Sequence, residues 1–595
     1  MPWKILRERA EILAVHAAFM GFGKIVYFGG DQHDPKHNEY HQIDATRLFD
    51  CTTSQVTTLA SPDFDVFCCG QAFLESEDEV QLLVAGGTER FIYPENPPSG
   101  EPLHFHHGHF PGLRDAAVLS SPKISDPNGP GWTWRPVASM HKGITRDHGN
   151  PDLTGGRWYP TLVTLHSGSV MAFSGHPGSG DQAHNNDLPE EFSRTPEPKG
   201  TWRRLPTLTD SSAHTYYSDH GLPLYPRMHV LPYGGVVCTN PLKRPRDKLP
   251  PRLQAQTSDR MPATTLAYLP DALAAPLGGL FAPLALFPTA DDAASDYGGY
   301  SSSSVLLPLG QPPADPGLRN ASKDYVAHLM VCGGINRQPY RLDLTGWQPG
   351  ASAGSWDWKP TGPRAIQQRR MHANATILPT GEILLTGGIN DKPLDIPEPP
   401  PPPDIKAVHT PELYNPYLDK WTVLDGPEER LDPPRNYHSV ALLMPDGRVW
   451  SAGGNDNAAT SDADAVPPHD DRRNLDIGLF EPWYHGHPDR PYITAAPSLA
   501  CPGETIAVET TFASQIDRVV LVRCGSSTHS FNPDQRLVEL AFEYVGGRAL
   551  RVRMAPDNHI LPPGPYLLFT LKELHGTPGL PSTGADIYVV PPRQQ

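Results

Sequence analysis

The chain has 595 residues, and 49 Lys and Arg against 66 Asp and Glu give a net charge of −17. No basic run stands out, which excludes nucleic acid as a partner, and no run of about 18 apolar residues offers a membrane span. Charged residues are few while Gly (53) and Pro (69) are plentiful, a mix that suits a loop-rich, all-β protein of two or more domains.

At the start of the chain Lys4, Arg7 and Arg9 precede some apolar residues, but no apolar core with a small-residue cleavage site follows, and residues 14–30 already read as β-structure. As written, the sequence leaves two expectations, a cytoplasmic protein or one whose leader is missing. From there a pattern recurs: an apolar strand, a tight Gly turn, a second apolar strand, then a Gly pair. The fullest copy runs from Ser439 to Gly454, with a near twin from Ala373 to Gly388. Others end at Gly30, Gly87 and Gly334, a weaker one at Ser174 and Gly175, and one from Met228 to Asn240 keeps its turn but loses the closing pair, which makes seven copies. Asp-Gly and Thr-Gly turns supply the positive φ of a two-residue hairpin. Repeats of roughly 50 residues, each holding a small sheet, predict a kelch-type β-propeller over residues 1–487, stretched by insertions at 88–150 and 240–295.

Near residue 485 the pattern changes to short alternating strands at 505–509, 518–522, 549–552 and 566–571. Residues 488–595 are therefore expected to form an immunoglobulin-like β-sandwich. The seven Cys are too few for a disulfide scaffold. Cys238 and Cys332 read as buried thiols, and Cys501 and Cys524 would pair only in an exported protein. The His-rich run from His104 to His109 and the Pro-rich run from Pro397 to Pro403 read as loops.

Three sites occupy the same place in different repeats, just before the first strand: Cys68, Tyr159 and the Tyr437-His438 pair. In a radial repeat such positions face one end of the axis. His529 would reach them on a loop from the second domain. Two imidazoles and two phenolates form a mixed nitrogen and oxygen shell suited to a tetragonal Cu(II) ion. Arg370 and His372, and Arg227 in the Tyr225–His229 segment, lie at matching positions and are candidates for substrate contact. Packing within the central channel is the competing role for them.

The motifs Phe67-Cys68-Cys69-Gly70, Arg157-Trp158-Tyr159, Arg435-Asn436-Tyr437-His438-Ser439 and the run from Thr528 through His529 to Arg536 resemble those of the galactose oxidase and glyoxal oxidase family of radical-copper oxidases. The resemblance covers nearly the whole chain. It implies a seven-bladed propeller carrying most of a copper site, and an early-set immunoglobulin-like domain supplying one His. It implies copper ligands at Tyr159, Tyr437, His438 and His529, and a Cys68–Tyr159 thioether that carries a radical. Tyr437 would be the base, and small aldehydes or primary alcohols would be oxidised by O2 with release of H2O2. It implies export, and a monomer is expected. Cys69 is the competing partner for the thioether. Where galactose oxidase stacks a Trp on the cross-linked Tyr, this chain has His176-Pro177, which predicts a less shielded Tyr159, a glyoxal-oxidase-like preference and a further substrate contact at His176. The alternative is a non-catalytic kelch propeller that binds a protein or glycan, or a copper or zinc protein acting hydrolytically.

Overall fold

The structure is a computed structural model that describes residues 2–29, 46–88, 112–127, 129, 131–141, 155–178, 186, 189–204, 222–240, 264–268, 282–286, 302–310, 325–334, 338–347, 356–362, 370–390, 407–430, 433–454 and 474–591. The His104–His109 and Pro397–Pro403 segments lie outside them. Among the described residues the fold is all-β apart from a short 3-10 turn at Ala513–Gln515.

Small antiparallel sheets follow one another along the chain in a propeller-like arrangement. In the second of them Gly70–Leu74, Glu79–Ala85, Ala116–Lys123 and Thr133–Pro136 pair in sequence order. Thr161–Thr164 opens the next, Met228–Val230, Ser302–Leu306 and Asn374–Ile377 open later ones, and each sheet has four strands. First strands are buried along their length, as at Thr161–Thr164 and Asn374–Ile377, while last strands such as Thr133–Pro136 and Lys420–Val423 are largely exposed. That gradient is what radial packing produces: an inner strand is covered by the neighbouring sheets on both faces, and an outer one meets water. The N-terminal strand Trp3–Arg9 pairs with Asp476–Phe480 and completes the sheet of Ser439–Leu443 and Val449–Gly453, joining the first part of the chain to the last repeat.

The closing Gly pairs have a specific steric reason. A Cβ on Gly86 would stand 2.2 Å from the Arg157 carbonyl oxygen, and one on Gly387 2.3 Å from that of Arg435. In each case the closing turn of one repeat abuts the segment that precedes the first strand of the next. The contact is also a hydrogen bond, since the N–H of Gly87 donates to the Arg157 carbonyl (2.9 Å) and that of Gly334 to the Arg370 carbonyl (2.6 Å). Positive φ at these Gly makes the approach possible.

Residues 493–589 form the C-terminal β domain, with Ile516–Arg523 at its centre between Arg536–Gly546 and Gly564–Lys572. Thr505–Thr510 alternates exposed and buried residues, as a strand with one wet face must. The domain does not stand apart: Val520, Val522, Leu567 and Phe569 share a hydrophobic cluster with Val26, Val84, Val440 and Trp450 of the repeats. One of its strands, Ser526–Thr528, leaves the domain and pairs with His16–Phe19, becoming the innermost strand of the first small sheet. All seven Cys are free, so the conditional Cys501–Cys524 pair does not form, and Cys238 and Cys332 are buried as expected.

Candidate metal centre

The segments before the first strands carry the unusual backbone of the molecule. Cys68, Tyr159, Tyr225, His372 and His438 all have positive φ, between 45° and 64°. An L-residue in this region costs energy, and here it recurs within the three residues before a first strand. His529 (φ 45°) and Ser530 (φ 66°), in the C-terminal domain, have positive φ as well.

The side chains converge. The Tyr159 and Tyr437 hydroxyls hydrogen-bond each other. Sulfur of Cys68 and ring nitrogens of His438 and His529 lie within 4.8 Å of one another, and Cys68 Sγ is 3.7 Å from His529 Nε2. Ring centroids of His438 and His529 are 4.8 Å apart, those of Tyr159 and His529 4.7 Å, and Tyr437 stacks on His438 at 3.8 Å. Cys68, Tyr159, His438 and His529 are all buried, whereas Tyr437 is only half-buried and so forms the open side of the cluster. Burial pushes the Cys68 thiol well up and the His529 imidazole well down, so both are neutral as they stand. Two imidazoles and two phenols brought this close, with a thiol among them, form a donor set whose chemistry suits a tetragonal copper ion.

The two adjacent thiols separate cleanly. Cys68 packs in a small cluster with Phe67, Trp158, Tyr159 and Tyr225, while Cys69 faces the opposite way into the main core. The expectation of an unshielded Tyr159 is overturned: the Trp158 ring stacks on it at 3.8 Å with an interplanar angle of 19°. The indole comes from the neighbouring residue rather than from the position after the closing Gly. The positive φ at Tyr159 is the local backbone feature that accompanies this stacking of adjacent rings. His176 is buried, and its backbone exchanges two hydrogen bonds with Trp158 (2.8 and 2.6 Å), holding that segment in place.

Of the candidate substrate contacts, Arg370 is buried and held by scaffold partners. Its guanidinium pairs with Glu412 (3.2 Å) and donates to the Gly387 and Leu385 carbonyls. Arg157 and Arg435 occupy the same position in their repeats and do the same work, Arg157 on Glu190 and the Ser174 carbonyl, Arg435 on the Gly453 and Asp476 carbonyls. Arg227 likewise donates to the Ser302 and His529 carbonyls (2.9 and 2.8 Å) and so clamps the His529 turn. His372 remains beside the cluster, its ring 5.0 Å from that of Tyr437.

Tyr225 escaped the sequence reading as a site residue. Its ring lies 4.5 Å from Tyr159 and 4.4 Å from His529, and its hydroxyl donates to the Cys69 carbonyl (2.8 Å). Its position before the first strand of its repeat was the available signal. The run after His529 is also explained. Asn532 Oδ1 accepts from the Ser526 and Gln535 N–H groups, Asp534 pairs with Arg523, Gln535 bonds the Ala375 carbonyl, and Arg536 bonds the His559 carbonyl. These bonds fix the loop that carries His529.

A propeller-like array of small sheets, a C-terminal β domain that lends one strand to it, and a cluster of Tyr, His and Cys side chains are the features against which known proteins can be compared. Residues 490–589 match the family "Galactose oxidase-like, Early set domain". The chain is a relative of galactose oxidase from Gibberella zeae, 30% identical over 226 residues that cover 37% of this chain but only 29% of that protein. It is also a relative of the aldehyde oxidase GLOX of Vitis pseudoreticulata, 26% identical over 475 residues that cover 74% of this chain and 73% of that one. A fungal alcohol oxidase of the AA5 family, solved in complex with copper, has the same fold, with a TM-score of 0.64, 18% identity and 99% of both chains covered.

Proposed function

We propose that the protein is a copper radical oxidase that oxidises small aldehydes or primary alcohols with O2 and releases H2O2. In this reading residues 1–487 form a seven-bladed propeller and 488–595 an immunoglobulin-like domain. Tyr159, Tyr437, His438 and His529 hold the copper ion, and Cys68 joins Tyr159 through a thioether. The observation that carries the reading is the convergence of two phenols, two imidazoles and one thiol from four separate segments. A protein or glycan binder has no use for such a set in its interior.

Copper with the modified tyrosine would supply a two-electron oxidation and pass the electrons to O2. The chain's own residues do the rest. Tyr437, the half-buried member, faces the side from which substrate arrives and takes the proton of the substrate hydroxyl. Trp158 covers one face of the Tyr159 ring and Tyr225 lies against the ring as well, which limits access of water to it. Because Trp158 stacks where a bare face was expected, exclusion of galactose no longer follows from shielding. The preference for small aldehydes rests instead on the long alignment with the plant aldehyde oxidase.

The test is peroxide release by the copper-loaded protein across methylglyoxal, glyoxal, glycerol, benzyl alcohol and galactose. Turnover of the first two above galactose is expected. Failure of the protein to take up copper at all would sink the proposal.

A further inference from the structure

We infer that Thr528 is a positioning residue that fixes His529 in the tautomer protonated on Nδ1 and so aims the lone pair of Nε2 at the centre. What that lone pair meets rests on the copper reading; the tautomer does not. Thr528 Oγ1 lies 2.9 Å from the Val15 carbonyl oxygen and 2.7 Å from His529 Nδ1. A carbonyl only accepts, so the single hydroxyl hydrogen is committed to Val15. The hydroxyl oxygen can then only accept from the ring, and Nδ1 must carry the hydrogen. A neutral imidazole has one N–H, which leaves Nε2 as the acceptor. Nε2 is the atom 3.7 Å from Cys68 Sγ and faces the point where His438 also converges.

The geometry that sets this contact is unusually well anchored. Thr528 and Phe531 exchange both backbone hydrogen bonds (2.9 Å each), with His529 and Ser530 between them at φ 45° and 66°. This is a two-residue hairpin turn with both central residues left-handed, a shape normally given to Asn and Gly. Ser526–Thr528 is held on the other side by pairing with His16–Phe19, where Thr528 stands opposite His16, and the Arg227 guanidinium holds the His529 carbonyl at 2.8 Å. Val15, the acceptor, precedes that same strand. The hydroxyl therefore meets a fixed carbonyl on one side and a fixed ring on the other.

Two measurements on the full chain test this. In metal-free wild-type protein carrying 15N-labelled histidine, long-range 1H–15N spectra should show His529 protonated on Nδ1. A ring protonated on Nε2 would overturn the inference. In the second, copper(II) affinity is read by competition with a chelator. Thr528→Val should lose affinity about tenfold or more, the usual effect of removing a partner that orients a ligating His, while Thr528→Ser stays close to wild type. Equal affinity of the folded Val variant and wild type would overturn the positioning role. If wild type itself binds no copper, the oxidase proposal fails, yet the spectra still decide the tautomer and with it the inference; they also decide it if the Val variant does not fold.

Discussion

At the scale of single residues, the informative contrast is between neighbours. Cys68 and Cys69 share burial and chemistry, yet one lies with Tyr159 and Trp158 and the other in the main core. Aerobic copper loading should therefore remove about two hydrogens from wild type and from Cys69→Ser, the change expected when one thioether forms by a two-electron oxidation, and leave the mass of Cys68→Ser unchanged. Intact-mass measurement checks this, and loss of the change in Cys69→Ser alone would reassign the link. Trp158 gives a second expectation. An aromatic pair contributes about 0.5–1.5 kcal/mol beyond burial. Trp158→Leu should thus shorten the life of the oxidised Tyr159 by up to about tenfold while the thioether still forms, measured as decay of its optical band. An unchanged lifetime would show that the stacked indole is packing alone. The sequence made Trp158 visible within its motif, but not its orientation, because ring-on-ring stacking of adjacent residues depends on a left-handed φ at Tyr159 that no residue pattern announces.

Among elements, the repeat unit explains both what was legible and what was left open. The hairpins from Ala373 to Gly388 and from Ser439 to Gly454 fold as their apolar runs and Gly turns imply, with strands at Asn374–Ile377, Ile383–Thr386, Ser439–Leu443 and Val449–Gly453. The shared placing of Cys68, Tyr159 and the Tyr437-His438 pair just before first strands was legible too, because the same apolar strand and Gly turn follow each of them. For Arg370 the sequence left substrate contact and packing in the channel both open. Set against Arg157 and Arg435, it belongs to a recurring arginine that ties the segment before a first strand to the closing Gly turn of its own hairpin. Such pairs are costly to break by half. Arg370→Met strands Glu412 in the interior and should destabilise the fold by about 3–5 kcal/mol, read from chemical unfolding. Replacing both residues with apolar ones should restore much of the loss. A single variant as stable as wild type would show that the ion pair is not structural. The pairing of Ser526–Thr528 with the first sheet had no sequence signal: three small polar residues in a loop-like run carry no period, and only the tertiary contact makes them a strand.

For the molecule as a whole, buried titrating groups set the response to acid. Burial pushes His16 and His229 down to about 3 and His328 to about 4. An unfolded His titrates near 6.5. As pH falls through that value the unfolded chain takes up protons that the folded one refuses, so the stability these residues confer above 6.5 is lost progressively toward pH 3–4. Asp517 and Asp586, pushed up to about 6, act in the opposite sense, adding stability as pH falls through 6. His372 is pushed down to about 3 as well, so four imidazoles against two carboxyls leave about two protons taken up on unfolding near pH 5, or about 2.7 kcal/mol lost per pH unit. Unfolding curves at pH 4.5, 5.5 and 7.5 should follow that slope, and His229→Gln should make it shallower by about 1.4 kcal/mol per unit. A flat profile would mean that these imidazoles are charged in the folded state. The strand lent by the C-terminal domain has a different consequence, one of timing. His529 is separated from Cys68 by 461 residues and is translated long after it. A nascent chain can therefore assemble its repeats around Cys68, Tyr159 and His438 while the ring that completes the set is still on the ribosome. On the proposed reading, oxidative chemistry would wait until the final domain docks, and the last piece to be synthesised would serve as the arming step.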